Sequence, residues 1–256
     1  MSGDLPRSHG VAARLEVLPR TGSTNADLRE RADDVEGWPH LSALITRNQT
    51  AGRGRLDRTW VAPDGAALAI SVLLRTLPDD PAARGWIPLA AGLAMTEAVA
   101  AQLPGRDVAV KWPNDVLVDG RKICGILAEA TTDAVIVGSG VNTAMTAEQL
   151  PVPTATSFAV LGVEVDEDRL LADYLRALSS TVAALAAADD AVASGLHAAV
   201  TARCATLGLV VRVSLPGGVL LEGRATALDP QGRLLVSADG SAHAVSAGDV
   251  VHVRPA

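Results

Sequence analysis

The stretch Gln49-Thr50-Ala51-Gly52-Arg53-Gly54-Arg55-Leu56-Asp57-Arg58-Thr59-Trp60 sets three arginines among glycines and closes on a tryptophan. Glycine frees the backbone for close approach to a ligand. Arginine offers a permanently charged fork suited to phosphate or carboxylate. Tryptophan offers a flat face for a nucleobase or an apolar ring. Alone, the pattern also fits a solvated basic loop. The apolar run Leu41 to Arg47 reads as a buried strand that feeds this loop. Ala66 to Leu74 reads as the next strand.

Working outward, Leu15 to Leu18 is a short strand followed by Thr21-Gly22-Ser23-Thr24-Asn25. Ser23, Thr24 or Asn25 would cap a helix from Ala26 to Ala32. The same side chains can hydrogen-bond a ligand at a helix start. Ile87 to Leu103 has helical spacing, with Pro88 suited to a first turn. Val108-Ala109-Val110 is a strand running into Lys111-Trp112-Pro113-Asn114-Asp115. Asp119-Gly120 is a two-residue hairpin signal between Val116–Val118 and the strand from Arg121 to Ala130. Ala134 to Val137 leads into Gly138-Ser139-Gly140-Val141-Asn142. Lys111 lies between an apolar strand and Trp112-Pro113, so its charge needs a partner: either Asp115 or a bound anion.

Asp166 to Ala188 is a long helix with Leu170, Leu171, Tyr174, Leu175, Leu178, Val182 and Leu185 on one stripe. A second helix covers Ser194 to Cys204. From Leu209 onward short alternating strands are split by Pro216-Gly217-Gly218, Asp229 to Gly232 and Asp239-Gly240, the signature of a small β-domain. The expected division is a mobile segment over 1–14, a main domain over 15–206 and the β-domain over 207–256.

The 256 residues are 48% apolar but only 2% aromatic, so the core is built from Ala, Val, Leu and Ile. A net charge of −7 disfavours a general nucleic-acid binder. The first ten residues lack the apolar core of a signal peptide, and no apolar run reaches membrane-spanning length. Two cysteines, Cys124 and Cys204, fit neither a disulfide framework nor a metal motif, which points to the reducing cytoplasm. No P-loop is present, the dinucleotide fingerprint lacks its third glycine, and the five histidines lie outside every glycine-rich stretch.

Ser23-Thr24-Asn25, Gln49 to Arg55, Lys111 to Asp115, Gly120-Arg121-Lys122-Ile123-Cys124-Gly125-Ile126-Leu127 and Gly138 to Asn142 occur in the order and rough spacing of the biotin protein ligases. The chain resembles that family over about Val17 to Asn142, and more loosely in its C-terminal β-domain. The resemblance implies an α/β fold: a mixed sheet flanked by helices, akin to class II aminoacyl-tRNA synthetases and the biotin–lipoate ligases, plus a small SH3-like β-barrel. It implies ATP and biotin as substrates, Mg²⁺ as cofactor, and a lysine of a biotin carboxyl carrier domain as acceptor. Ser23, Thr24, Asn25 and Gln49 would line the biotin pocket, with Gly52, Gly54 and Gly125 in the same set. Arg53 and Arg55 would grip the phosphates and the activated carboxylate, with Arg58 beside them. Trp60 would pack by the adenine and Asn142 would read its edge. Lys111 would contact the biotin carboxylate and the α-phosphate and, with Arg53, carry catalysis. Metal ligands are not assigned.

The chain departs from the family at Asp57, where glycine is usual; its charge beside Arg55 and Arg58 bears on their phosphate role. A monofunctional enzyme is expected, a monomer or weak homodimer without DNA or membrane partners. A lipoate or octanoate ligase and a non-enzymatic biotin sensor are the alternatives. The Arg-Gly-Arg and Lys111 to Asp115 set favours biotin over the first. The acidic charge disfavours the second. Without an anion between them the three arginines repel, so the loop is expected to be mobile when empty.

Overall fold

Asp119 and Gly120 both take positive φ (48° and 74°), the geometry of a tight hairpin turn, and they join two strands of the central sheet. The computed structural model describes residues 5–56, 58–215, 220–246 and 249–252. In chain order these form α1 (Pro6–His9), β1 (Arg14–Leu18), α2 (Thr24–Arg31), β2 (Ser42–Thr46), β3 (Gly52–Arg53), β4 (Thr59–Trp60), β5 (Ala67–Leu74), α3 (Pro81–Arg84), α4 (Ile87–Ala100), β6 (Val108–Lys111), β7 (Asp115–Val118), β8 (Arg121–Ala130) and β9 (Val135–Asn142). Then follow α5 (Glu167–Ala188), α6 (Leu196–Arg203), β10 (Val210–Ser214), β11 (Leu220–Leu228), β12 (Leu234–Ala238), β13 (Ser241–Val245) and β14 (Asp249–His252). The Pro216-Gly217-Gly218 turn expected from sequence and Asp57 lie outside the described residues.

Seven strands make one mixed sheet in the order β1-β2-β5-β9-β8-β7-β6. Only β1 and β2 pair in parallel, and the crossover between them carries α2. Because side chains alternate along a strand, the sheet has two distinct faces. Leu68, Ile70, Val72 and Leu74 of β5 join the core with Val135, Val137 and Val141 of β9. That face is covered by α4 and α5, whose Leu170, Leu171, Tyr174, Leu175, Leu178, Val182 and Leu185 are all buried. On composition alone α5 is long and apolar enough to cross a membrane. It instead buries the predicted stripe and turns Asp173, Arg176 and their neighbours outward. The opposite face holds a smaller cluster of Leu28, Trp38, Leu44, Leu73 and Ile136 under α2. Beside that cluster, on the same face, small and polar residues replace the apolar ones, and the cavity described below opens there.

β10 to β14 form a five-stranded antiparallel sheet, β13-β12-β11-β10-β14, in which β10, the first of them in the chain, pairs with β14, the last. Its β11–β12 turn is tied to the main domain by two indoles. Trp86 Nε1 donates to Pro230 O at 2.9 Å, and Trp112 Nε1 donates to Gly232 O at 2.9 Å.

The sequence suggests a mobile lead-in over residues 1–14; in the structure part of its described portion, 5–14, is docked. Leu5 is buried, and Ser8 Oγ donates to Asp168 Oδ1 at 2.8 Å, while the Ser8 and Arg7 amides donate to the same carboxylate. The partner lies 160 residues away, which no local pattern reports. Asp166 caps α5 by accepting from Arg169 N and also takes the Arg7 guanidinium. The Arg169 amide bond, aided by Arg7, holds the Asp166 carboxyl below its usual range. Burial pushes Asp168 up, but the donations from Ser8 and Arg7 outweigh it and the net shift is downward. Lowered native pKa values mean that this stabilisation is fully present above the unfolded carboxylate value, about 3.9. It is lost as pH falls below that through the native values. Amides of Gly10, Val11 and Ala12 should therefore be protected from hydrogen exchange at pH 6 and lose protection selectively below about pH 4. Unchanged protection at pH 3, with the rest of the fold intact, would show that the carboxylates do not hold α1.

Candidate active site

The polar face of the sheet is organised at the start of α2. Ser23 caps the helix, accepting from Ala26 N at 3.4 Å. The preceding turn is laced to the strand-to-loop segment after β2: Thr21 N donates to Asn48 O, Thr50 N to Thr21 O and Ala51 N to Gly22 O. That lacing brings Gln49 to the helix terminus, where its Oε1 accepts from Thr24 N at 2.9 Å and Thr24 Oγ1 at 3.0 Å. Ser71 Oγ, from β5, bonds Thr24 Oγ1 at 2.7 Å and Asn25 Oδ1 at 2.6 Å. Asn25 Nδ2 donates to Glu129 Oε2 at 2.7 Å and Leu127 O at 3.3 Å. Ser23, Thr24 and Asn25 are all buried.

These groups wall a cavity of about 190 Å³ together with Gln49, Arg53, Gly54, Arg55, Arg58, Trp60, Gly125 and Lys122. Such a volume is below the usual range of about 300–1,000 Å³ for ligand pockets. The arginine loop and Trp60 lie over the opening. β3 and β4 pair as a short hairpin, with Gly54 N donating to Arg58 O at 2.6 Å. Leu56 carries positive φ (54°) at the tip of the hairpin. Arg55 Nη1 donates to Asn114 Oδ1 at 2.9 Å, and Arg53 Nη2 is 3.7 Å from Glu129 Oε1. Gly52 lines the trough beneath the hairpin rather than the cavity itself.

Gly138-Ser139-Gly140 forms the middle of β9, which ends at Asn142 as the sequence suggested. The glycines are there because the cavity face has no room for a side chain. A Cβ on Gly138 would lie 2.5 Å from Asn25 Oδ1, and one on Gly140 would lie 2.7 Å from the Trp60 ring. Ser139 turns the other way and bonds the Tyr174 hydroxyl at 3.0 Å; burial raises that phenol far above its ordinary value. Behind the wall, burial pushes the Cys124 thiol up to about 12, so it is a neutral packing group and not a nucleophile.

Two residues expected in the site stand apart from the cavity wall. Lys111 lies on β6, the outermost strand, opposite Asp115 on β7. Its Nζ is 4.0 Å from Oδ2 of Asp115, which itself lines the cavity. The lysine on the wall is Lys122, whose Nζ is 2.6 Å from Asp115 Oδ1 and would be 3.0 Å from a Cβ on Gly125. Lys122 was in view within the Gly120 to Leu127 motif, but it read as a hairpin residue. Asn142 ends β9, and its Nδ2 donates to Thr156 O at 2.9 Å. Asn114 and Glu129 are further wall or cover contacts that residue type alone did not single out.

An acyl-group ligase fold is what this sheet, hairpin and appended β-domain amount to once known proteins are compared. Residues 17–142 match the biotin/lipoate A/B protein ligase family and residues 206–253 match the biotin protein ligase C-terminal domain. The chain is 42% identical over 247 residues to the biotin–[acetyl-CoA-carboxylase] ligase of Mycobacterium tuberculosis, covering 94% of this chain and 90% of that one. It is 35% identical over 175 residues to the bifunctional ligase/repressor BirA of Escherichia coli, 66% of this chain and 53% of that one. The biotin protein ligase of Aquifex aeolicus, solved with biotin and ATP, matches in fold with a TM-score of 0.78 at 24% identity, over 95% of this chain and 100% of that one. The biotin protein ligase of Leishmania major with biotin gives 0.64 at 28% identity, over 92% and 99%. The chain belongs to the biotin/lipoate A/B protein ligase family, on its biotin protein ligase branch.

Proposed function

We infer that the chain is an ATP-dependent biotin protein ligase that forms AMP and joins biotin to a lysine of a biotin carboxyl carrier domain. The observation that carries this reading is the polar relay Gln49–Thr24–Ser71–Asn25 beside a cationic hairpin and Lys122. It offers matched donors and acceptors to a neutral cyclic urea at one end and charge to a carboxylate and phosphate at the other. The names of the relatives support the substrate assignment.

In the first half-reaction a carboxylate oxygen of biotin attacks the α-phosphorus of ATP, and pyrophosphate leaves. Lys122 and Arg53 stabilise charge at the reacting phosphorus, and Arg55 and Arg58 bind the phosphates. In the second, the neutral lysine amine of the carrier attacks the acyl carbon, AMP leaves, and the amine proton passes to solvent. Trp60 covers the adenylate, and Asn142 serves the nucleotide end from behind the wall. Among the described residues no group of three or more His, Cys, Asp or Glu converges, and no residue is assigned to Mg²⁺. Mg²⁺ bound with ATP would supply charge shielding for the departing pyrophosphate. Buried free thiols at Cys124 and Cys204 support a reducing, cytoplasmic setting. The net charge of −7 supports small-molecule and carrier partners over DNA.

Incubation with ATP, labelled biotin or lipoate, and a carrier domain tests the assignment. Transfer of biotin with AMP release is expected. Transfer of lipoate alone would make the chain a lipoate ligase, and binding without transfer would make it a sensor.

A further inference from the structure

We infer that Glu129 is a positioning residue that holds the empty arginine hairpin as its internal counter-anion and at the same time fixes the orientation of the Asn25 amide. The biotin half of this inference rests on the function proposed above; the hairpin half does not.

Glu129 sits near the end of β8 on the cavity side of the sheet, and its side chain is only 18% exposed. Its two oxygens have separate partners. Oε2 accepts from Asn25 Nδ2 at 2.7 Å. Oε1 faces two guanidinium groups, Arg29 at 3.5 Å and Arg53 at 3.7 Å. An asparagine amide has no preferred sense of its own; its partners decide which side is oxygen. A carboxylate can only accept, so it pins Asn25 Nδ2 and turns Oδ1 toward Ser71 and Gly138. Asn25 thereby shows the cavity an acceptor suited to a ring N–H.

The Arg53 contact has the opposite character. It is longer, and the Arg53 side chain is 52% exposed. Such a pair is weak and salt-sensitive. It gives Arg53 a carboxylate partner in the ligand-free hairpin. It is also loose enough for a phosphoryl group to replace it. Arg53 would then exchange one anion for another on ligand binding, while the tighter Oε2 contact to Asn25 stays. One carboxylate thus links the hairpin to the amide that faces the ring N–H.

Glu129→Gln and Glu129→Ala separate the two roles, measured on the full chain beside wild type. Glutamine keeps an oxygen for Asn25 and removes the charge; alanine removes both. Trypsin cuts after Arg53, Arg55 and Arg58, so the rate of cleavage in ligand-free protein reports hairpin opening. Both variants should be cut about fivefold faster than wild type at low salt, and only wild type should speed up as salt is raised, relative to a control peptide. The biotin KM in pyrophosphate exchange should change less than about threefold in Glu129→Gln and rise about tenfold or more in Glu129→Ala, with kcat less affected. Wild-type cleavage and salt response in Glu129→Gln would overturn the counter-anion role. An unchanged biotin KM in Glu129→Ala would overturn the positioning role. Equal losses of Tm and kcat in both variants, with no KM split, would reduce Glu129 to scaffold. If wild type itself exchanges pyrophosphate with lipoate and not biotin, the function fails while the cleavage result still decides the hairpin.

Discussion

Gly138→Ala should weaken biotin binding by about 10²-fold while leaving a folded protein. The added methyl would lie 2.5 Å from Asn25 Oδ1 and 2.9 Å from Nδ2, far inside contact distance. Asn25 cannot step aside freely. It is held by Ser71 at 2.6 Å, Glu129 at 2.7 Å and Leu127 O at 3.3 Å. Yielding leaves buried polar groups unpaired, at about 1–3 kcal/mol each, so losing two contacts costs on the order of 3 kcal/mol. At about 1.4 kcal/mol per tenfold, that is the stated loss of affinity. Gly140→Ala makes a comparable control. Its methyl meets the Trp60 ring, carried on the short hairpin rather than locked in a network, so the ring can move and the loss should be smaller. Titration calorimetry with biotin, alongside Tm, reads both. A Gly138→Ala protein that binds biotin as wild type does would remove Asn25 from the site.

The same position shows why part of the site was legible in the sequence and part was not. Ser23-Thr24-Asn25, Gln49 and the arginine hairpin announce themselves by residue type, and the structure brings them to one cavity. The strands that carry them were readable from apolar runs, and the turn at Asp119-Gly120 from its residues alone. The roles of Gly138 and Gly140 were not readable, because they depend on which side chains face them from α2 and β4, a matter of tertiary contact. The docking of α1 was hidden for the same reason: Ser8 and Asp168 are far apart in the chain. Lys111 and Lys122 differ for a third reason. Both sit in cation-bearing motifs close in the chain, and only the strand order says that β6 is the outer edge and β8 two places further in. A register shift between Val116 and Leu117 in the β7–β8 pair further breaks the simple alternation that would have been counted from the hairpin. Side-chain period is local information, whereas strand order is not.

That distinction can be measured. Lys122→Ala should lower the rate of adenylate formation by about 10²–10³-fold, the range for losing one preorganised charge-stabilising donor. Lys111→Ala should cost less than about tenfold, because Lys111 is not on the cavity wall, where Lys122 and Asp115 stand. Removing Lys122 also leaves Asp115, whose side chain is 16% exposed, without its 2.6 Å partner. Some loss of stability is therefore expected, and Lys111, 4.0 Å from the same carboxylate, can only partly replace the contact. Lys122→Arg distinguishes the two effects. It restores a cation beside Asp115 but replaces a compact ammonium by a wider fork, so Tm should recover while the rate does not. Pyrophosphate exchange at saturating biotin and ATP reads the chemical step, and thermal melts read the fold. A wild-type exchange rate in Lys122→Ala together with an inactive, folded Lys111→Ala would return the reacting phosphate to the outer strand and refute the cavity as the place where the adenylate is made.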